Sequence, residues 1–354
     1  RAHDIDMGSG DDRFIAINLS NGSAYDGGSG NDWIGFFHPS TSNKSADAQT
    51  YTLNSGVTSN FENIWGSMNG DVLTGDSNAN IIIGAEGADT LNGGAGNDIL
   101  WGDCSTSSCY NLIGSSYADD DSETPANDIL NGGDGDDILY GDGGDDTLNG
   151  GAGNDTIISG AGSDTIIITS SSDSDTLTDF TDGTDAIAFD SSITSSNLII
   201  SASGSDTVIK NGSNTLLTLT GISSANITAV DLQSTSTDAQ TLNGSSGNDI
   251  LVGGAGNDIF NGGAGSDQLV GWGGDDTFNI TSKTGSWSDI VNGGAGTDVL
   301  NVSYGINLED FSSIVWNGST NFTFLDSNGG SVTFDLIETL TVNSVPWASF
   351  VGNG

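Results

Sequence analysis

Residues 132–164 read GGDGDDILYGDGGDDTLNGGAGNDTIISGAGSD, a nine-residue unit repeated in register with Asp137, Asp146, Asp155 and Asp164 each at its sixth position. Glycines recur at the first, second and fourth places. A strict period of nine leaves room for one short turn and one short strand per unit, which is the arithmetic of a parallel β-roll. The last three residues of each unit are predicted to be the strand, with the middle side chain, such as Leu139, Leu148 or Ile157, pointing inward.

Outward from this stretch, the phase of the aspartates marks three blocks. The first holds Asp71, Asn80, Asp89 and Asp98, with Asn80 a degenerate member; the second runs Asp128, Asp137, Asp146, Asp155 and Asp164. The third carries Asp249, Asp258, Asp267 and Asp276, slips by four residues around Thr281 to Thr284, and resumes at Asp289 and Asp298. A slip of that size reads as a loop bulging from one turn. Isolated units stand at Asp12 and Asp32, too far apart to stack without an intervening excursion.

Between blocks one and two, Cys104 to Ala126 lacks periodicity, is rich in Ser and Asp, and is predicted to be a surface loop. From about Thr169 to Gln240 the glycine density falls, and runs such as NLIISAS, DTVIK and TLLTLTG alternate apolar with polar residues, as strands do. The same change follows Asn301, and TYTLNSGVTSNFENIWGS before block one resembles SVTFDLIETLTV near the end. Helical periodicity is nearly absent. The expected organisation is all-β: an N-terminal segment over 1–65 with isolated units, a parallel roll over 66–168 with its loop at 102–126, and a capping segment of antiparallel strands packed against the roll over 169–240. A second roll over 241–300 and a strand cap over 301–354 complete it.

The 354 residues carry 48 acidic and 5 basic side chains, a formal charge of −43, with 34% hydrophobic content. Nothing could neutralise phosphates, which excludes nucleic acid and an anionic membrane surface as partners. Self-repulsion of this size opposes compaction unless cations neutralise it. A halophile-type surface would scatter its acids over exposed positions, whereas these recur every nine residues. No signal sequence opens the chain and no apolar run approaches a membrane span; position 1 is Arg, so the chain reads as part of something longer.

The cation that fits is calcium, which takes six to eight oxygens and accepts carboxylates together with backbone carbonyls. A GGxGxD turn offers both, because glycine lets carbonyls converge where a Cβ would clash and the sixth-position aspartate brings charge. Two units make one coil, so aspartates eighteen apart should stack on one edge and share an ion. The expected pairs are Asp71 with Asp89, Asp128 with Asp146, Asp137 with Asp155, Asp146 with Asp164, Asp249 with Asp267 and Asp258 with Asp276, with Asn80 and Asp98 one charge poorer. With Asp298 and the isolated Asp12 and Asp32 as further ligands, on the order of seven or eight ions follow. Burying these carboxylates without a cation is costly, so folding and calcium uptake should be one process, disorder being the expected calcium-free state.

These motifs resemble the RTX family, the calcium-binding repeats of proteins exported by bacterial type I secretion, over roughly half the chain. DTLTDFTDGTDAIAFD, Asp175 to Asp190, is similar to the segment that follows the repeats in serralysin-type metalloproteases, where strands cap the roll. The resemblance implies export unfolded, without a cleaved leader, and folding outside the cell. The chain departs from that pattern in carrying further repeats after the cap.

Other candidates are weaker. Cys104 and Cys109, five apart in a polar insertion, suit a small disulfide loop better than a metal site. His3 and His38 belong to no catalytic signature. Asp119, Asp120 and Asp121 read as a solvated run, and Trp101 and Trp272 as cover over a coil rather than sugar platforms. The third turn position holds Glu86, Ala95, Asp134, Ala152, Ala161, Ala255 and Ala264, which is not the matched file an ice-binding face needs.

With no catalytic constellation, the favoured reading is a secreted, non-enzymatic structural or adhesive protein of the bacterial surface, partnered by calcium. A second copy of itself, in a surface array or filament, or cell-surface polysaccharide is the further partner. The alternatives are the non-catalytic calcium-binding part of a secreted hydrolase or epimerase, and a glycan- or peptide-binding module.

Overall fold

The structure, a computed structural model, describes residues 5–15, 25–36, 48–54, 58–103, 125–169, 173–190, 193, 198–228, 231–281, 283–303, 311–316, 322–326, 330–337, 339–342 and 345–346. Cys104 and Cys109, His3, His38 and Asp119 to Asp121 lie outside them. The described chain is all-β and divides into two units, Arg1–Asp185 with Thr215–Ile222, and Ala186–Asn214 with Ser223–Gly354.

In the first unit successive nonapeptides alternate between two parallel sheets. One sheet stacks Thr50–Thr52, Val72–Thr74, Thr90–Ala95, Ile129–Asp134, Thr147–Ala152 and Thr165–Ile168. The other stacks Arg13–Ile15, Trp33–Gly35, Asn63–Trp65, Ile81–Ile83, Ile99–Trp101, Ile138–Tyr140, Thr156–Ile158 and Asp175–Leu177, then Asn214–Leu219. The register is the sequence period itself: Leu139 pairs with Ile157 and Leu148 with Ile166, each one coil further on.

A three-residue strand turns one side chain inward and two outward. Leu73, Leu91, Leu130, Leu148 and Ile166 accordingly line up from one sheet, facing Ile82, Leu100, Leu139, Ile157 and Leu177 from the other, all fully buried. Each contributes about 1.5–3 kcal/mol by leaving water. The interior is one file of side chains per sheet, thin for a chain of this length, so the turns must carry a large share of the cohesion.

The two isolated units stack on the same sheet. Arg13–Ile15 pairs with Trp33–Gly35, which pairs with Asn63–Trp65. Ile5–Asp6, Tyr25–Asp26 and Thr58–Ser59 form a short parallel sheet beside them.

The second unit repeats the plan. Thr241–Asn243, Ile259–Asn261, Thr277–Thr281, Val299–Ser303 and Thr339–Val342 stack in one sheet; Ile250–Val252, Gln268–Val270, Ser288–Asn292 and Ser331–Asp335 stack in the other. Phe260 and Phe278 stack in its core with ring centroids 4.6 Å apart. An amide ladder runs beside them, Asn279 donating to Asn261 at 3.0 Å and Asn261 to Asn243 at 2.8 Å. Antiparallel pairing enters in Leu198–Ser203 with Asp206–Asn211, and in Phe311–Trp316, Phe322–Asp326 and Ser331–Asp335. The strand-rich segments thus use both senses: Asp175–Leu177 and Asn214–Leu219 continue the roll in parallel, while 198–211 folds as a hairpin.

Candidate metal centre

Each nonapeptide turn wraps its own aspartate. In 132–137 Gly133 and Gly135 take φ of 118° and 134°, a conformation L side chains avoid. Gly132 has an ordinary φ, but a Cβ there would overlap Asp137 Oδ2 and the carbonyl of Gly150 on the next coil. Two glycines are therefore conformational, and the first clears a space around the carboxylate.

The carboxylate reaches back one coil. The N–H of Asp71 donates to Asp89 Oδ1 at 2.6 Å, Asp89 to Asp128 at 2.7 Å, Asp128 to Asp146 at 2.8 Å, Asp146 to Asp164 at 2.9 Å and Asp164 to Asp185 at 3.2 Å. The opposite edge runs Asn80 to Asp98, Asp98 to Asp137, Asp137 to Asp155 and Asp155 to Asp175, at 2.6–3.1 Å. In the second unit Asp249 donates to Asp267, Asp267 to Asp289, Asp258 to Asp276 and Asp276 to Asp298. Asp12 donates to Asp32 Oδ1 at 2.7 Å, and Asp32 to Glu62 Oε2 at 2.7 Å.

In many of these carboxylates one oxygen is thereby satisfied and the other left over. Oδ2 of Asp12, Asp32, Asp89, Asp98, Asp128, Asp137, Asp146, Asp155, Asp164, Asp276 and Asp289 is buried without a hydrogen-bond donor. Orphaned anionic oxygens at this depth cost several kcal/mol each. Burial pushes Asp89 up to about 9 and Asp128 to about 8, each raised further by the charges stacked beside it. Burial likewise lifts Asp137, Asp146 and Asp276 to about 7, and Asp98 and Asp164 to about 6.

The donors fit a hard divalent cation. Among the described residues no cluster of three or more His, Cys, Asp or Glu side chains forms, so an ion here would draw on two stacked carboxylates plus turn carbonyls. That all-oxygen set suits calcium and leaves zinc without its nitrogen or sulfur ligands. Held between coils, calcium would neutralise both aspartates and tie one turn to the next.

All the sequence-predicted aspartates stand at turn ends, but Oδ2 is not left over in every one: that of Asp71 accepts Ser67 N–H at 2.6 Å. Asp249 is partly exposed, with Ser245 N–H on Oδ2 at 2.7 Å, and Asp258 Oδ2 receives Gly254 N–H at 2.9 Å. Cys104 and Cys109 fall outside the described residues. Sequence spacing missed the stacking of Asp89 with Asp128 and Asp98 with Asp137, because the loop adds to the interval of eighteen. It missed Asp175, Asp185 and Glu62 as well. The TDGTD motif closing on Asp185 was a usable signal, since Thr181 N–H donates to Asp185 Oδ2 at 2.7 Å, as Ser67 does to Asp71.

The rung between Asp267 and Asp289 differs from the rest. Lys283 Nζ lies 2.7 Å from Asp267 Oδ2, 2.6 Å from Asp289 Oδ1 and 3.1 Å from the carbonyl of Gly265. Its side chain is only 2% exposed, and the Trp287 ring centroid is 5.0 Å away.

Comparison with known families agrees with this geometry. The model of the RTX calcium-binding nonapeptide repeat (4 copies) matches residues 65–103, 124–157, 131–166, 140–177, 241–278 and 288–303. No curated protein sequence matches. Among solved structures, the extracellular lipase LipA from Serratia marcescens aligns with 89% of this chain and 43% of its own, at 12% identity and a TM-score of 0.18. This chain thus spans less than half of that protein's length. The glycine-aspartate turns, the parallel coils and the matched family model agree that residues 65–103, 124–177, 241–278 and 288–303 are RTX calcium-binding nonapeptide repeats.

Proposed function

We propose that this chain is a secreted, calcium-folded structural or adhesive element of a bacterial cell surface, without catalytic activity of its own. The observation that carries it is the column of buried Asp Oδ2 atoms with no donor, from Asp89 through Asp164. The aspartates at the turn ends are the calcium ligands, two per ion, with on the order of seven or eight ions in the pairs eighteen apart and more across the insertions. Extracellular modules commonly bind calcium at about 10⁻⁴–10⁻³ M, which leaves such a chain unfolded in a calcium-poor cytosol, ready for type I export, and folded outside. Its acidic surface turns away nucleic acid and anionic membranes; its partners are other copies of the chain or surface polysaccharide.

The test is calcium titration of metal-stripped protein, read by far-ultraviolet circular dichroism, sedimentation velocity and electron microscopy. A β signal that rises with calcium, followed by ordered sheets or filaments, supports the reading. A chain that folds with calcium but stays monomeric points to the non-catalytic part of a secreted hydrolase or epimerase. An unchanged β signal in excess chelator removes the calcium reading altogether.

A further inference from the structure

We infer that Lys283 is a resident cation of the second roll: its ammonium takes the place between Asp267 and Asp289 that calcium takes in neighbouring rungs, closing that rung to the metal. This rests on the calcium reading of the other rungs, and it adds a departure from it at one named position.

The geometry points there from three sides. In turns such as those of Asp137, Asp146 and Asp276 one aspartate oxygen accepts the backbone N–H of the preceding coil while Oδ2 has no donor, and elsewhere, as at Asp249 and Asp258, Oδ2 takes a backbone N–H of its own turn; none of these carries an ammonium. Asp267 keeps the first bond, to Asp249 N–H at 3.1 Å, but its Oδ2 accepts Lys283 Nζ at 2.7 Å. The ammonium also reaches Asp289 Oδ1 and the Gly265 carbonyl, so it binds an aspartate from each of two stacked coils and a turn carbonyl between them. These are oxygens of the kinds calcium takes, two carboxylates and a turn carbonyl, held here by an ammonium at 2.7, 2.6 and 3.1 Å.

The local sequence has changed to match. Where other units carry GGxGx before the aspartate, the one ending in Asp289 reads TSKTGSWS over 281–288. It has lost the paired glycines that open space around a carboxylate and gained one of only three lysines in the chain, Lys44 and Lys210 being the others. The same stretch contains the four extra residues that lengthen the Asp267-to-Asp289 interval to 22. The insertion thus brings the positive charge and spaces the coil to receive it. Trp287 lies 5.0 Å from the ammonium, a cation–π contact.

A calcium ion could enter only by displacing a charge of the same sign held by a covalent tether. Unlike calcium, the ammonium cannot be removed by a chelator, so this rung should stay paired when the others open.

Three measurements on the full chain test this. In saturating calcium, native mass spectrometry should count one more ion on Lys283→Ala than on wild type, while Lys283→Arg matches wild type. With terbium replacing calcium, Lys283→Ala should show added indole-sensitised emission that Trp287→Phe in the same background removes. Should the alanine variant fail to fold, wild type alone decides: an amine-acylating reagent should modify Lys283 more slowly than Lys210, on the order of tenfold or more. Equal ion counts in wild type and Lys283→Ala, or equal acylation of Lys283 and Lys210, would overturn the inference. Wild type that binds no calcium while Lys283 remains protected would sink the calcium reading instead.

Discussion

The backbone N–H of Asp89 donates to Asp128 Oδ1 at 2.7 Å across thirty-nine positions of sequence, the same bond that Asp128 makes to Asp146 across eighteen. Residues 102–103 and 125–128 take adjoining places in the stack although 21 residues separate Asp103 from Pro125 in sequence. Ala126 N–H donates to Asp103 Oδ2 at 3.3 Å, closing the break from both sides. The ladder of backbone-to-carboxylate bonds therefore continues across an insertion placed within a turn.

Joining Asp103 directly to Pro125 should accordingly restore an ordinary unit, GDPANDILN, and leave the roll intact. The expected result is a calcium midpoint and melting temperature within error of wild type, measured by circular dichroism across a calcium series. A collapse of the β signal would show that the loop, which includes Cys104 and Cys109, is needed to hold the coils together.

Asp146 stands in two rungs, accepting from Asp128 N–H and donating its own N–H to Asp164. Asp146→Ala should raise the calcium midpoint by at least about tenfold, equivalent to about 1.4 kcal/mol. Asp182→Ala, at an exposed turn position, should leave it unchanged. Equal losses in the two variants, followed by isothermal calorimetry, would contradict the stacked register.

The pH dependence without metal has an unusual sign. These carboxyls are raised by burial, to about 9 at Asp89 and about 6 at Asp98 and Asp164, against an ordinary value of 3.8. A raised group favours the fold below its unfolded value and withdraws that support as pH climbs through its folded value. Metal-stripped protein should thus gain compaction between pH 9 and 4 as protons substitute for cations, seen by small-angle scattering. Calcium affinity should fall over the same range, because the ligand is the ionised form.

Gly132 tests the cleared space. Gly132→Ala pushes a Cβ against Asp137 Oδ2 and the Gly150 carbonyl, and should cost about 1–3 kcal/mol of calcium-loaded stability through overpacking. Ala152→Ser, at the third turn position, should be neutral in the same thermal melts. If both behave alike, the first glycine of the unit serves only the backbone and not the ion.

The nine-residue period determined, without any coordinates, the parallel roll, the inward file of Leu139, Leu148 and Ile157, and the columns of aspartates eighteen apart. It could do so because a solenoid strand pairs only with its copy one coil away, so the repeat in sequence is the register in space. Tertiary structure alone decided which residues meet where that period breaks. Asp128 finds Asp89 across an aperiodic loop, Asp175 and Asp185 extend the ladder at intervals of 20 and 21, and Glu62 caps Asp32 from 30 residues away. Lys283 reads in sequence as one residue of a bulging loop; only the folded coil carries its charge between two aspartates. Such partners depend on where a loop re-enters the stack, a matter of chain path and packing that no periodicity encodes.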